Sequence, residues 1–293
     1  CHGDLHLGNI LLEDGRPILF DCIEFNDTLS EIDVQYDIAF LLMDLDFRRR
    51  RDAAVRVLSA YLDEAARNFG PELWDGLSAL PLMMSVRAAV RTHVWAHVND
   101  DASASAYLDA ALAHLSPAPP QLVAVGGLSG TGKSTVARLI APGLGAAPGA
   151  LVLRTDEVRK RLMGVAPDSR LPASAYGPGF YEQVYDTLFS EAEQALRAGR
   201  AVVLDATFID ADLRQRARLL AGRTGIPFQG LWLEAPAEIL AARISARHGD
   251  ASDATVETLR MQLERATGDL DWTRLDASGP ADAAAEAWAR RRT

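Results

Sequence analysis

Eight residues, Gly127-Leu128-Ser129-Gly130-Thr131-Gly132-Lys133-Ser134, constrain the fold of this chain more than any other stretch. They carry the spacing GxxxxGKS, follow the apolar run Leu122-Val123-Ala124-Val125 and lead into the helical periodicity of Thr135 to Ala141. A strand, a glycine-rich turn and a helix in that order build a cradle for phosphate. The glycines let successive backbone N–H groups converge, and the helix N-terminus adds a favourable field. The cradle would comprise Gly127, Ser129, Gly130, Thr131, Gly132, Lys133, Ser134 and Thr135. Lys133 is expected to reach the β- and γ-phosphates of ATP, and the Ser134 hydroxyl to ligate Mg²⁺. Only two of the 30 basic residues are lysines, Lys133 and Lys160, so the one in this loop stands out against a background of arginine. Ammonium and guanidinium are not interchangeable groups.

The chain divides around Ser116-Pro117-Ala118-Pro119-Pro120, whose prolines cannot continue a helix and favour an extended connector. At 293 residues it is long enough for two cores, and we expect one unit over residues 1–116 and another over 117–293. Beyond the connector, strand candidates at Leu122 to Val125, Leu151 to Leu153, Ala201 to Leu204 and Phe228 to Leu233 alternate with helix-length stretches. That alternation predicts an α/β fold with a parallel sheet covered by helices. Before the connector, Ile18-Leu19-Phe20 reads as a strand, and from Asp33 onward apolar residues recur at helical spacing, as in Ile38, Leu41, Leu42 and Leu45. The first part is therefore expected to be a small strand-bearing cap on a mainly helical body.

Two more segments of the second part carry acids toward the cradle. The second strand ends in Arg154-Thr155-Asp156-Glu157-Val158-Arg159, and residues three apart share a helix face, so Asp156 and Arg159 can point at one substrate. The third strand closes in Asp205-Ala206-Thr207, and ligands of open parallel sheets lie beyond the carboxyl ends of the strands. A guanine-reading NKxD segment is absent, and Asp205 is followed by Ala206 rather than by the Glu usual in AAA+ and ABC-type ATPases. Both features favour a kinase. The three segments resemble those of the P-loop kinases that include polynucleotide 5′-kinases, zeta toxins and gluconate-type kinases. The resemblance implies that Asp156 takes the proton of the acceptor hydroxyl, that Arg159 helps to hold the acceptor, and that Asp205 supports Mg²⁺ or the acceptor. It further implies a lid in which Arg243 and Arg247, ahead of a helix expected to begin near Ser252, close over the transferring phosphate. Asp250 and Asp253 are expected to order the hinge of that lid. The Gly- and Pro-bearing region from Gly164 to Gly179, with Tyr176 and Phe180 beside it, is expected to bind the acceptor, and Trp232 is expected in the core.

In the first part, His2-Gly3-Asp4-Leu5-His6-Leu7-Gly8-Asn9 resembles the catalytic loop of aminoglycoside and choline phosphotransferases, a branch of the protein-kinase-like fold. Ile18-Leu19-Phe20-Asp21 resembles the strand that ends in that family's second metal-binding Asp. The resemblance implies Asp4 as base, with Asn9 and Asp21 as Mg²⁺ ligands. Asp33 and Asp37 match the acidic segment that opens the following helix, and a structural role is expected for them. His93 and His97 are read as an ordinary helix face, since no Glu follows His93 as zinc chemistry of the zincin type requires.

Together the two resemblances identify the chain with a bacterial family that fuses an aminoglycoside-phosphotransferase-like lobe to a P-loop kinase. The fold expected is α/β: a P-loop kinase domain with a parallel sheet, preceded by a mainly helical remnant of a protein-kinase-like C-lobe. The chain opens at Cys1 and runs straight into the first motif, so a missing upstream kinase lobe is expected as its partner in a longer chain. Two cysteines cannot build a disulfide framework, which makes a reducing, cytoplasmic setting the expected one. No apolar stretch approaches the roughly 20 residues that span a bilayer. The expected activity is transfer of the ATP γ-phosphate to a hydroxyl of a small-molecule acceptor. A polynucleotide 5′-end as acceptor, or a non-catalytic ATP-dependent switch, are the alternatives. The net charge of -10 argues against a general nucleic-acid surface. However, residues 1–116 hold 9 basic and 19 acidic residues while 117–293 hold 21 of each, so the excess belongs wholly to the first part. A protein-kinase-like lobe also needs a glycine-rich loop and a strand lysine before its catalytic loop. Residues 1–116 contain neither, and we expect them to transfer no phosphate by themselves; ADP release by a polypeptide limited to these residues would overturn this.

Overall fold

The structure is a computed structural model that describes residues 1–246 and 252–292. Strands β1 (Ile10–Glu13) and β2 (Arg16–Leu19) form an antiparallel hairpin in which Ile10 faces Leu19 and Glu13 faces Arg16. Asp14 and Gly15 turn it with φ of 50° and 75°, the left-handed pair that matches the twist of the strands. Pairing with β1 sets the bounds of β2, so it starts two residues before Ile18 and stops at Leu19. After the single-turn α1 (Asp27–Ser30) comes α2 (Val34–Phe47), opened by the Asp33 carboxylate, which accepts from the backbone N–H of Gln35 and Tyr36. Burial of every residue from Ile38 to Leu45 makes α2 the centre of the helical body. Around it lie α3 (Arg51–Ala65), the short α4 (Glu72–Asp75), α5 (Leu80–His97) and α6 (Asp101–His114).

Residues 117–121 are irregular and deliver the chain to β3 (Leu122–Gly127), whose six residues are all buried. The elements that follow are α7 (Lys133–Ile140), β4 (Leu151–Arg154), α8 (Thr155–Leu162), α9 (Pro178–Arg197), β5 (Val202–Asp205), α10 (Ala211–Thr224) and β6 (Phe228–Glu234). The chain ends in α11 (Ala237–Ser245), α12 (Val256–Glu264), β7 (Thr273–Asp276) and α13 (Ala281–Ala289). The five strands pair in parallel in the order β4-β5-β3-β6-β7, as the alternation of strands and helices predicts. Sequence periodicity does not disclose β7, because only Leu275 of its four residues is buried. Helix α12 starts at Val256 rather than near Ser252, where Thr255 and Thr258 form a reciprocal capping box. Among the described residues no helix is long and apolar enough to cross a membrane.

The two parts share one core. β4 is an edge strand, and α3 of the first part lies against it: the Val152 N–H donates to Ser59 Oγ at 3.1 Å. Covering an edge in this way removes a template for unwanted strand pairing. Leu58, Leu62 and Trp74 of the first part belong to the same apolar cluster as Leu153, Val158 and Leu188 of the second. Val55 joins a second cluster with Val136 and Ile140 on α7.

Two strand glycines have a packing reason. Trp272 lies across β3 and β6, and its ring fills the space a side chain would need: a Cβ at Gly230 would come within 2.3 Å of the ring, and one at Gly126 within 3.0 Å. Trp272 is itself wedged against Phe208 and Phe228, with centroids 5.0 and 6.0 Å away. Gly230→Ala is therefore expected to destabilise the protein by about 1–3 kcal/mol, the usual cost of overpacking. Chemical denaturation checks this, and an unchanged or raised midpoint would contradict it.

Candidate active site

The parallel sheet brings the carboxyl ends of β3, β4 and β5 to one edge, and the glycine loop emerges there. Gly127 has φ of 139° and Gly130 of 87°. A Cβ at either would come within 2.6 Å of Leu233 O or 2.7 Å of Leu240 O, so neither position admits a side chain. Gly132, with φ of 85°, turns the chain into α7, which starts at Lys133 instead of Thr135. Lys133 Nζ donates to Leu128 O at 3.0 Å, and Thr131 Oγ1 donates to the same carbonyl at 2.8 Å. One loop amide, Ser129 N–H, donates to Gln262 Oε1 of α12 at 2.8 Å, so an uncharged acceptor from α12 reaches into the phosphate cradle.

A cavity of about 830 Å³ opens over the loop. Ser129, Gly130, Gly132, Lys133, Ser134 and Thr135 line it together with Asp156, Arg159 and Asp205, so three separate segments of the sequence converge on one space. Behind them sits Arg154, the last residue of β4, 3% exposed. Its guanidinium donates to Asp205 Oδ2 at 3.0 Å, to Ser134 Oγ at 3.0 Å and to Glu157 Oε1 at 2.8 Å. Burial opposes the charge of Arg154, but the carboxylates of Asp205, Glu157 and Asp156 more than offset it and raise its affinity for a proton. Ser134 Oγ and Asp205 Oδ2 thus share one guanidinium as their partner. Among the described residues no cluster of three or more His, Cys, Asp or Glu could hold a metal. A hydroxyl plus one carboxylate is the sparse oxygen set that suits Mg²⁺ shared with phosphates.

Asp156 stands in the first turn of α8. Burial pushes its carboxyl above the usual range and Asp205 adds to that, while Arg154, Arg159 and Lys133 pull the other way. Arg159, one turn on, is 5% exposed. Its Nη1 donates to Ala175 O at 2.9 Å and its guanidinium lies 4.8 Å from the Tyr176 ring centroid, so the region from Gly164 to Gly179 folds directly over the Asp156–Arg159 face. Asp253 ties that region down: its Oδ2 accepts from Leu171 N–H at 3.1 Å and from Tyr176 Oη at 3.0 Å. Lys160, the second lysine, is fully buried, donates to Pro167 O at 2.8 Å and lies 3.8 Å from Asp253 Oδ1.

Arg243 borders the cavity, but its Nη1 and Nη2 donate to the carbonyls of Ala277, Ser278 and Gly279 at 2.7, 3.0 and 2.6 Å. It fastens α11 to the turn after β7, which the sequence did not disclose. Arg247 and Asp250 lie outside the described residues. Four lining residues escaped the sequence reading. Tyr181 Oη donates to Asp210 at 2.9 Å, Tyr185 Oη pairs with Thr207 Oγ1 at 3.4 Å, Arg265 pairs with Asp210, and Gln262 reaches the loop. Only tertiary folding brings them here, and no spacing rule signals them.

In the first part, Asn9 Nδ2 donates to Asp4 O at 3.0 Å and to Asp4 Oδ2 at 3.2 Å. The Phe20 N–H donates to Asn9 O at 3.1 Å, and Asp21, the next residue, has φ of 58°. Asp37 accepts from the N–H groups of His2 and Gly3 at 2.9 and 2.8 Å and thereby fixes the loop backbone, the structural role expected of it. Asp4, Asn9 and Asp21 do not line the cavity over the glycine loop.

Residues 122–268, just over half of the chain, match a family model described as an AAA domain. The chain belongs to this AAA-domain family. Residues 1–78 match the model of the phosphotransferase enzyme family, so the first motif lies within a recognised phosphotransferase segment. Uncharacterized proteins of Mycobacterium tuberculosis and Mycobacterium bovis are each 36% identical to this AAA-domain chain over 288 residues, 95% of this chain and 56% of theirs. The chain thus spans little more than half the length of these curated relatives. A gluconokinase from Sinorhizobium meliloti 1021 aligns over 57% of this chain and 88% of its own, at 21% identity and a TM-score of 0.38. The Mycobacterium tuberculosis APS kinase CysC in complex with AMPPNP and APS aligns over 59% and 97%, at 21% identity and a TM-score of 0.41.

Arg154→Gln would leave Asp205, 4% exposed, without its guanidinium partner. Breaking a buried pair from one side is expected to cost about 3–5 kcal/mol. Urea denaturation measures this, and a loss below about 1 kcal/mol would show that the pair holds the site without holding the fold.

Proposed function

We propose that this AAA-domain chain transfers the γ-phosphoryl group of ATP to a hydroxyl of a small-molecule acceptor. The observation that carries the reading is the meeting of the Asp156–Arg159 face of α8 with the glycine loop in one cavity. The loop amides and Lys133 would hold the β- and γ-phosphates. Mg²⁺, held by Ser134 and Asp205, would neutralise charge on the phosphate oxygens when bound. Asp156 would take the proton as the acceptor oxygen bonds to the γ-phosphorus and the bond to the ADP oxygen breaks. Arg159, held by Ala175 O and the Tyr176 ring, would orient the acceptor. Tyr176, Tyr181 and Tyr185 give the acceptor end of the cavity apolar ring surface with hydroxyls at its border. Enclosure by the region from Gly164 to Gly179 favours a small acceptor over a polymer end, and a volume of about 830 Å³ suits a nucleotide with a small second substrate.

A base must be ionised to accept a proton. Since burial raises the Asp156 carboxyl above its ordinary value of about 3.9, activity is expected above that raised value and lost as the pH falls through it. The acid limb of kcat should therefore lie higher than for an exposed aspartate. Asp156→Asn is expected to lower kcat by about 10²–10⁴-fold and to abolish the limb, with MgATP binding unchanged. Acceptor-dependent ADP release across pH, alongside nucleotide titration, makes the measurement. Full activity in the Asn variant would remove Asp156 from the base role.

A further inference from the structure

The helix that carries Asp156 and Arg159 is short. α8 has eight residues and no side-chain N-cap, and a helix of that length is marginal without tertiary anchors. Its position is therefore decided by what holds its outward side, and much of that hold comes from the first part of the chain. Arg161 of α8 is sandwiched between two carboxylates. Its Nη1 donates to Asp63 Oδ1 of α3 at 2.6 Å, and its Nη2 pairs with Glu191 of α9. All three side chains are largely buried, at 7%, 15% and 9% exposure for Arg161, Asp63 and Glu191. Burial pushes the carboxyls of both Asp63 and Glu191 upward, against the pull of Arg161. Two residues past the end of α3, Arg67 Nη2 donates to Val165 O at 2.9 Å, just past the C-terminus of α8. Two groups from one end of α3 thus grip the exit of α8, while Ser59 higher on α3 grips β4, which leads into it.

These contacts lie beside the polar groups that back the phosphate site. Asp63, Arg161 and Glu191 border the same small space as Glu157 and Arg154. Arg154 in turn holds Ser134 and Asp205. We propose that Asp63 is a positioning residue for phosphotransfer: from the first part of the chain it holds Arg161, and through Arg161 it fixes the register of Asp156 and Arg159 against the phosphate loop. The phosphotransferase-like part is then a structural component of the P-loop site, whatever chemistry its own loop performs. This inference rests on the kinase reading for its kinetic consequence and on the geometry alone for its structural one.

The test uses the full chain and Asp63→Asn, which keeps the volume and removes the charge, with Arg67→Gln as a milder variant and Asp63→Glu as the conservative rescue. ADP release from MgATP with water as acceptor gives turnover, binding of a fluorescent ATP analogue reports the loop, and hydrogen exchange reports the amides of residues 155–162. The expected result for Asp63→Asn is a kcat lower by about 10- to 100-fold, the range that small misplacements of reacting groups produce. The KM for MgATP should stay within about twofold, since the loop itself is not displaced. Exchange should quicken on α8 and not on β3 or α7, Arg67→Gln should shift both readouts less, and Asp63→Glu should restore them. Unchanged α8 exchange in a folded Asp63→Asn protein overturns the proposal whether or not the chain turns over ATP. A loss of ATP binding equal to the loss of turnover overturns it as well, because that is general destabilisation. Faster α8 exchange in a chain that releases no ADP under any condition supports the anchoring and removes the kinase reading.

Discussion

The guanidinium of Arg154 is the interaction on which the rest of the site depends. The carboxyl edge of a parallel sheet collects polar groups that have left water, and each must find a partner or cost free energy. Arg154 ends β4 at that edge, and its planar fork of donors lets it serve three oxygens from three elements: Ser134 on α7, Glu157 on α8 and Asp205 on β5. A lysine ammonium, a compact point charge, could not hold those three directions in one plane. The loop, the helix that bears Asp156 and the third strand are therefore fixed relative to one another by a side chain that lies behind the cavity rather than in it.

The first part of the chain completes this arrangement from outside. An edge strand exposes backbone groups, and a short helix after it has little stability of its own. α3 resolves both conditions, through Ser59 on β4 and through Asp63 and Arg67 on α8 and its exit. The acid excess of residues 1–116 has uses in keeping with this. Asp37 and Asp44 accept from the backbone N–H groups of His2, Gly3 and Leu7, and Asp63 accepts from Arg161. These negative charges are spent on backbone order and on the junction, and the nucleotide cavity belongs to the electrically balanced second part.

What could be read in the sequence follows from how local each signal is. The glycine loop, Asp156 and Arg159 at helical spacing, and four of the five parallel strands rest on patterns within a few residues, and the fold carries all of them. β7 hides because an edge strand with one buried residue has no apolar run to display. Gln262, Arg265 and the tyrosines of α9 enter the cavity only after the chain has folded, from positions whose neighbours in sequence say nothing of phosphate. Arg243 shows the same limit from the other side. It borders the cavity, and the three carbonyls that receive its donors lie after β7, the one strand with no sequence signal.

The scarcity of lysine acquires a structural reason. Lys133 lines the cavity, and Lys160 lies behind it on α8. Lys133 donates to a loop carbonyl from within a turn so tight that two of its glycines exclude even a methyl group. Lys160 is 1% exposed and crosses a closed space to Pro167 O and the Asp253 carboxylate. A planar fork with five donors, placed in either position, would leave several N–H groups buried without acceptors, at about 1–3 kcal/mol for each. In a chain that otherwise uses arginine, the compact ammonium survives where space and available acceptors are smallest. Those two places are the glycine loop and the clamp that ties the region from Gly164 to Gly179 to α8.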